Sequence, residues 1–201
     1  MNNFTVLRMW VVMIVVAGTW AGCRTNTSSE EETTATPDSV VLSDPAAPDL
    51  NSNQSELLQT IVGNSSEGVI RGISFGDRVS KVKASESFEM FEDTIDHVGF
   101  TLDTEQLETI DVQYFYAQNK RINKITVDVY LNSDAATRQL WNASKAHFSE
   151  RYTAPLEDSP RRIVWKKAPV LLTLDNVSDG KDHGLKLTFE PTDKTVLASI
   201  R

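Results

Sequence analysis

Thiols, histidines and excess cations are what this sequence has least of. It holds one cysteine, Cys23, so no intramolecular disulfide can form and no thiolate cluster can bind a metal. Its three histidines, His97, His147 and His183, include no pair at metal-ligand spacing, and no metal or cofactor is expected. The chain has 20 Lys and Arg against 28 Asp and Glu, a formal charge of −8. That balance argues against a surface built to displace counterions from phosphates, so nucleic acid is not an expected partner. A long apolar run is missing too: residues 9–22 cover 14 positions, short of the roughly 20 that a helix needs to cross hydrocarbon. What is present, 201 residues with 40% hydrophobic and 24% charged, suits one globular domain with accessory segments.

The N-terminus reads as an export signal. Arg8 supplies positive charge, "MWVVMIVV" a short apolar core, and "TWAG" a mostly small-residue stretch before Cys23. Trp20-Ala21-Gly22-Cys23 resembles the lipobox of bacterial lipoproteins, with Trp20 standing where that family usually has an aliphatic residue. The resemblance implies removal of residues 1–22 and lipid modification of the Cys23 sulfur, leaving the cysteine as the first mature residue. An acylated sulfur has no thiolate to offer as nucleophile or metal ligand. Acyl chains would hold the protein to the membrane, at about 0.8 kcal/mol per buried methylene. Ordinary cleavage near Ala21, or a retained anchor, are the other ways to read the segment.

Residues 24–66 contain no aromatic residue and are rich in Ser, Thr, Asn, Asp and Pro. Seven acidic residues face Arg24 alone, so with Cys23 this stretch reads as a lipidated, acidic, disordered tether over 23–66, with a helical turn or two over 56–62. As a flexible chain it would reach roughly 35–40 Å. Ser28-Ser29-Glu30-Glu31-Glu32 is similar to the acidic export tag of some Bacteroidota surface lipoproteins, but a plain solvated acidic linker has the same composition. Arg24 differs from the Asp that resembles an inner-membrane retention signal, which makes the outer membrane of the cell envelope the expected location.

From 67 to 198 the dominant signal is alternation. In "DVQYFYA" Val112, Tyr114 and Tyr116 share a side, and in "KITVDVYL" Ile125, Val127, Val129 and Leu131 do. "RRIVWKK", "VLLTLD" and "LKLTFE" repeat the pattern, and the short linkers Gln118-Asn119-Lys120 and Ser178-Asp179-Gly180-Lys181 favour antiparallel hairpins. Ser133 is a candidate N-cap for a helix that carries Leu140, Trp141, Ser144 and Phe148 on one side, and a shorter helix is expected from Asp77. The expected fold is α+β: an antiparallel sheet of about six to seven strands with helices on one face, patterned as a duplicated helix-plus-strands unit. "GDRVSKV" followed by the "YFY" and "INKITVDV" strands is also similar to small outer-membrane lipoproteins of the SmpA/OmlA type, without the Gly-Pro that commonly follows their helix. That resemblance concerns shape and carries over no binding residue.

Candidate chemistry is sparse. "GISFG", residues 72–76, satisfies the Gly-x-Ser-x-Gly pattern, but antiparallel strands follow Ser74 and too little chain precedes it to build a hydrolase scaffold. The glycines read more simply as a turn leading to Asp77 as helix cap. "DNVSDGKD" matches a calcium loop only at Asp175, Asp179 and Gly180. His147 reads as a hydrogen-bonded histidine at the core edge, and His97 and His183 as loop residues. Tyr114, Tyr116, Trp141, Phe148, Tyr152 and Trp165 read as core packing. The opposite, wet face of the sheet gathers Thr126, Asp128, Tyr130, Thr173, Lys186, Thr188 and Glu190 as a candidate interaction face. The expected function is a non-enzymatic envelope lipoprotein, anchored through Cys23, whose domain binds a protein or an envelope polymer. A hydrolase using Ser74 and a small-ligand-binding lipoprotein are the alternatives.

Overall fold

In the computed structural model of the chain, residues 50–193 and Ala198 are described. The export signal, the lipobox, Cys23, the acidic tag and residues 24–49 therefore lie outside the described residues. Three helices, α1 (Leu50–Val62), α2 (Val79–Ser85) and α3 (Asp134–Tyr152), accompany eight strands: β1 (Glu89–Asp93), β2 (His97–Asp103), β3 (Thr109–Tyr116), β4 (Ile122–Leu131), β5 (Glu157–Asp158), β6 (Arg162–Lys167), β7 (Val170–Asn176) and β8 (His183–Pro191). All eight form one antiparallel sheet in the order β1-β2-β3-β4-β8-β7-β6-β5. The fold is α+β as expected, with eight strands instead of six to seven. The surplus includes β5, two exposed acidic residues at the sheet edge, too short to carry any alternation.

The connectivity explains why one face stays open. Each half is a meander of four strands, and the last strand of each, β4 and β8, pair at the centre with Val127 opposite Leu187. Each meander is entered from a helix, and the helices settle on the side where alternation has placed the apolar residues. There Val112, Tyr114, Ile125, Val127, Leu172, Leu174, Leu187 and Phe189 are all buried to within 1% exposure. Phe148 of α3 lies against Trp165 and Phe189, with ring centroids 5.8 and 6.1 Å apart. Ser133 caps α3 as expected, its hydroxyl accepting from the Ala136 amide.

The domain begins earlier than residue 67. α1 packs on α3 and buries Leu57, Leu58, Ile61 and Val62 in the same core. Composition misled here, because a polar 13-residue helix with one apolar stripe near its end looks like a linker until a partner covers the stripe. Gly63, at φ +77°, ends the helix, and its amide bonds back to the Gln59 carbonyl. Among the described residues no helix is long and apolar enough to cross a membrane.

Ile61 is fully buried, so Ile61→Ala should lower the unfolding free energy by roughly 2–5 kcal/mol. Urea melts of the full chain would measure this, and an unchanged midpoint would return residues 50–66 to a tether.

Candidate functional site: the helix-free sheet face

All seven residues of the expected face project from adjacent strands β4, β8 and β7 on the side that no helix covers. Thr126 faces Thr188, which faces Thr173, making a threonine row across three strands. One step along, Asp128 faces Lys186, whose ammonium donates to both carboxylate oxygens at 2.8 and 3.0 Å. Tyr130 lies beyond them opposite Gly184, 53% exposed, and Glu190 sits at the other end opposite Leu171. Burial first, and then Asp128 and Asp111, hold the Tyr130 phenol above its usual pKa, against an opposing pull from Lys186. Thr126 is 4% exposed and hydrogen-bonds Gln113, so it supports the face from beneath more than it offers a contact.

Strand register extends this patch further than the seven residues. A charged row runs Asp111, Asp128, Lys186, Asp175, Arg162 across five strands. Arg162 grips Asp175 at 2.7 and 3.1 Å, and Lys186 grips Asp128, but Asp111 directly faces Asp128 and forms no ion pair among the described residues. Two carboxylates opposed across a ladder repel. The signal for Asp111 and Asp175 was present in the sequence, since both alternate with core residues in "DVQYFYA" and "VLLTLD".

Towards β1 the face turns aromatic. His97 opens β2 instead of lying in a turn. Its ring stacks on Phe115 at 5.0 Å, and the Lys124 ammonium stands 3.9 Å from the Phe115 centroid. The His97 nitrogens meet Asp96 and Glu92, each at 2.9 Å, and Thr94 at 2.8 Å. Burial works against a charged ring, yet these carboxylates outweigh it and raise the His97 pKa. Gly99 lies beneath the Phe91 ring, so closely that a Cβ there would stand 2.6 Å from it and the ring would have to shift.

The opposite side holds a buried polar cluster that sequence reasoning missed. Arg71, at φ 52°, makes a two-pronged ion pair with Glu86 at 2.6 and 2.9 Å, and their side chains are 9% and 3% exposed. The Tyr114 hydroxyl donates to the same carboxylate at 2.7 Å. Arg71 also donates to the Thr60 carbonyl of α1 and stacks 3.8 Å over Phe88. Burial would raise the Glu86 pKa, but hydrogen bonds from Arg71 and Tyr114 overcome it and hold the carboxyl below its ordinary range. Nothing in the spacing of Arg71, Glu86 and Tyr114 announces this meeting.

Ser74 is not bonded to any histidine among the described residues. Its amide donates to the Asp77 carboxylate, which Lys81 also holds, while the N-cap of α2 is Arg78 without a side-chain bond. Asp77 therefore clamps the turn and does not cap the helix. His147 is half-buried, and its Nε2 lacks a hydrogen-bond partner where a bonded histidine was expected. Burial, and then Arg151, push its pKa down. Among the described residues no group of three or more His, Cys, Asp or Glu could hold a metal ion.

Since Glu86 titrates lower folded than unfolded, its contribution is present above its unfolded pKa, about 4.3, and fades as pH falls through the folded value. Glu86→Gln strands Arg71 and should cost about 3–5 kcal/mol near neutrality. The gap to the parent chain should narrow on acidification, as followed by urea melts from pH 7 downward. A gap independent of pH would remove the ion pair from its place in stability.

No protein-family model, no curated protein and no solved structure matches the chain.

Proposed function

We propose that this protein is a non-enzymatic lipoprotein of the bacterial cell envelope, lipid-anchored through Cys23 at the outer membrane, whose domain binds another protein through its helix-free sheet face. The observation that carries the binding reading is Tyr130. It is a large aromatic side chain, 53% exposed, beside a carboxylate, Asp111, that faces another carboxylate and forms no ion pair among the described residues. Aromatic residues ringed by polar groups are what protein interfaces use as anchors, and an unsatisfied carboxylate favours a partner that brings a Lys or Arg. Ser74, held in a turn with no histidine bonded to it, supports the reading without catalysis.

The chain's halves are read as a duplicated helix-plus-strands unit. Each is a four-stranded meander, and the turns before β4 and β8 contain Lys120 and Gly180, both at positive φ. Duplication would place the joint between meanders, and with it the charged row, at the middle of the face.

Two measurements test this reading separately. Cys23→Ser should abolish metabolic labelling with palmitate; unchanged labelling would exclude the anchor. A photo-crosslinker at Tyr130 in cells should capture one protein, and Asp111→Asn should weaken that capture. Because it relieves a like-charge pair, the same change should stabilise the fold by about 0.2–1 kcal/mol. Capture that is absent, or equal from a crosslinker placed at exposed Val177, would dismiss the face as a binding site.

A further inference from the structure

We propose that a cleft beside the C-terminus of α3 binds a small amphipathic carboxylate, its head between Arg151 and Lys167 and its apolar body against Val69, Phe75 and Val170. The cleft encloses about 390 Å³ and is lined by the loop from Gly68 to Phe75, the end of α3 and the turn between β6 and β7. None of its lining residues belongs to the helix-free face, so this inference stands apart from the reading of that face.

Three observations converge on the ligand's chemistry. First, in an acidic chain, Arg151 and Lys167 both border the cleft, and neither is in an ion pair with a carboxylate among the described residues. Arg151 donates to the Gly68 carbonyl at 2.7 Å and Lys167 to the Arg151 carbonyl at 2.9 Å. Those bonds hold both side chains at the border of the cleft, and a guanidinium and an ammonium have further donors to give. Second, Tyr152, which also lines the cleft, is 5% exposed and its hydroxyl has no hydrogen-bond partner. That hydroxyl leaves hydrogen-bonding capacity unmet in a residue that lines the cleft. Third, the remaining wall is made by Val69, Phe75, Pro169 and Val170, with Ser74 also lining the cleft. A cavity with apolar walls and a few convergent polar groups is the form small-molecule sites take.

The wall chemistry selects among anions. An inorganic phosphate would leave the apolar wall unused, and a neutral alkyl compound would leave both cations unused. A carboxylate on a short alkyl or aryl body satisfies both. The alternative role for the two cations, neutralising the carbonyl end of α3, accounts for the Lys167 bond but not for the apolar wall or the Tyr152 hydroxyl.

The test uses the full chain in lipid nanodiscs and equilibrium dialysis of radiolabelled octanoate, with empty nanodiscs subtracted. We expect one octanoate per chain, not displaced by equimolar octanol or by inorganic phosphate. Lys167→Gln, at an exposed position, and Tyr152→Phe should each weaken binding, Lys167→Gln by about tenfold as expected for loss of a charge-assisted bond. Tyr152→Phe should leave the thermal midpoint of the unliganded chain unchanged or raised, which separates lost binding from lost folding. Absent binding, equal competition by octanol or phosphate, or binding unaltered in both variants would each overturn the assignment.

Discussion

The ion pair between Arg71 and Glu86 is the constraint on which the helical side of the molecule depends. Arg71 reaches the Thr60 carbonyl at the end of α1, while its own amide bonds the Val62 carbonyl. Glu86 closes α2 and also accepts from Tyr114 in the middle of β3 and from the amides of Ser87 and Phe88. One pair thus fixes two helix ends and a strand. Burying two charges is unfavourable unless their remaining donors and acceptors are satisfied, and here nearly every one has a partner. The backbone bears the consequence: Arg71 sits at φ 52°, with Gly63 packed so closely that a Cβ there would stand 3.1 Å from the Arg71 Cα.

Fixing the helices to one side leaves the other side to the strands alone. Two meanders that meet at their last strands place β4 and β8 at the centre, with Thr126, Asp128 and Tyr130 of one and Lys186, Thr188 and Glu190 of the other on outward positions. A central pair that must face water on one side can use charge to set its register. A one-residue slip of β8 against β4 would separate Lys186 from Asp128 and turn Leu185, Leu187 and Phe189 outward. The charged row therefore specifies the join between the meanders as much as it decorates a surface. Asp111 is the exception, since it adds repulsion where register is already determined.

How much of this was legible depended on period. Strands with one buried face write their geometry directly into the sequence, so Val112, Tyr114, Ile125, Val127, Leu185 and Leu187 could be placed inward, and the threonine row outward, before any coordinates. Ser133 as cap and Lys120 and Gly180 in turns were local signals of the same kind. α1 was not legible, because its apolar positions crowd into 57–62 behind a polar stretch, and its burial depends on α3, some 80 residues away. β5 was hidden by its length. Arg71, Glu86 and Tyr114 were beyond reach for a different cause: a contact between a loop, a helix end and a strand has no period to read.

The places where local rules are broken are then informative. Around Arg71 and at the Trp165 indole, bonded to Ser149, buried polar atoms have partners, whereas Gln54 Oε1, Gln139 Oε1 and His183 Nδ1 have none among the described residues. The Tyr152 hydroxyl and His147 Nε2 are left unpaired within one stretch of α3, and both residues border clefts to which Arg151 also contributes. Three of these five atoms, on Gln139, His147 and Tyr152, belong to α3, and the last two lie on adjacent turns around Arg151, a cation without a carboxylate among the described residues. On the strand side the unmet electrostatic demand is concentrated likewise, at Asp111. The fold settles its polar groups around Arg71 and leaves these two regions with unmet partners, and an incoming molecule that supplies a donor, an acceptor or a counter-charge has most to offer there.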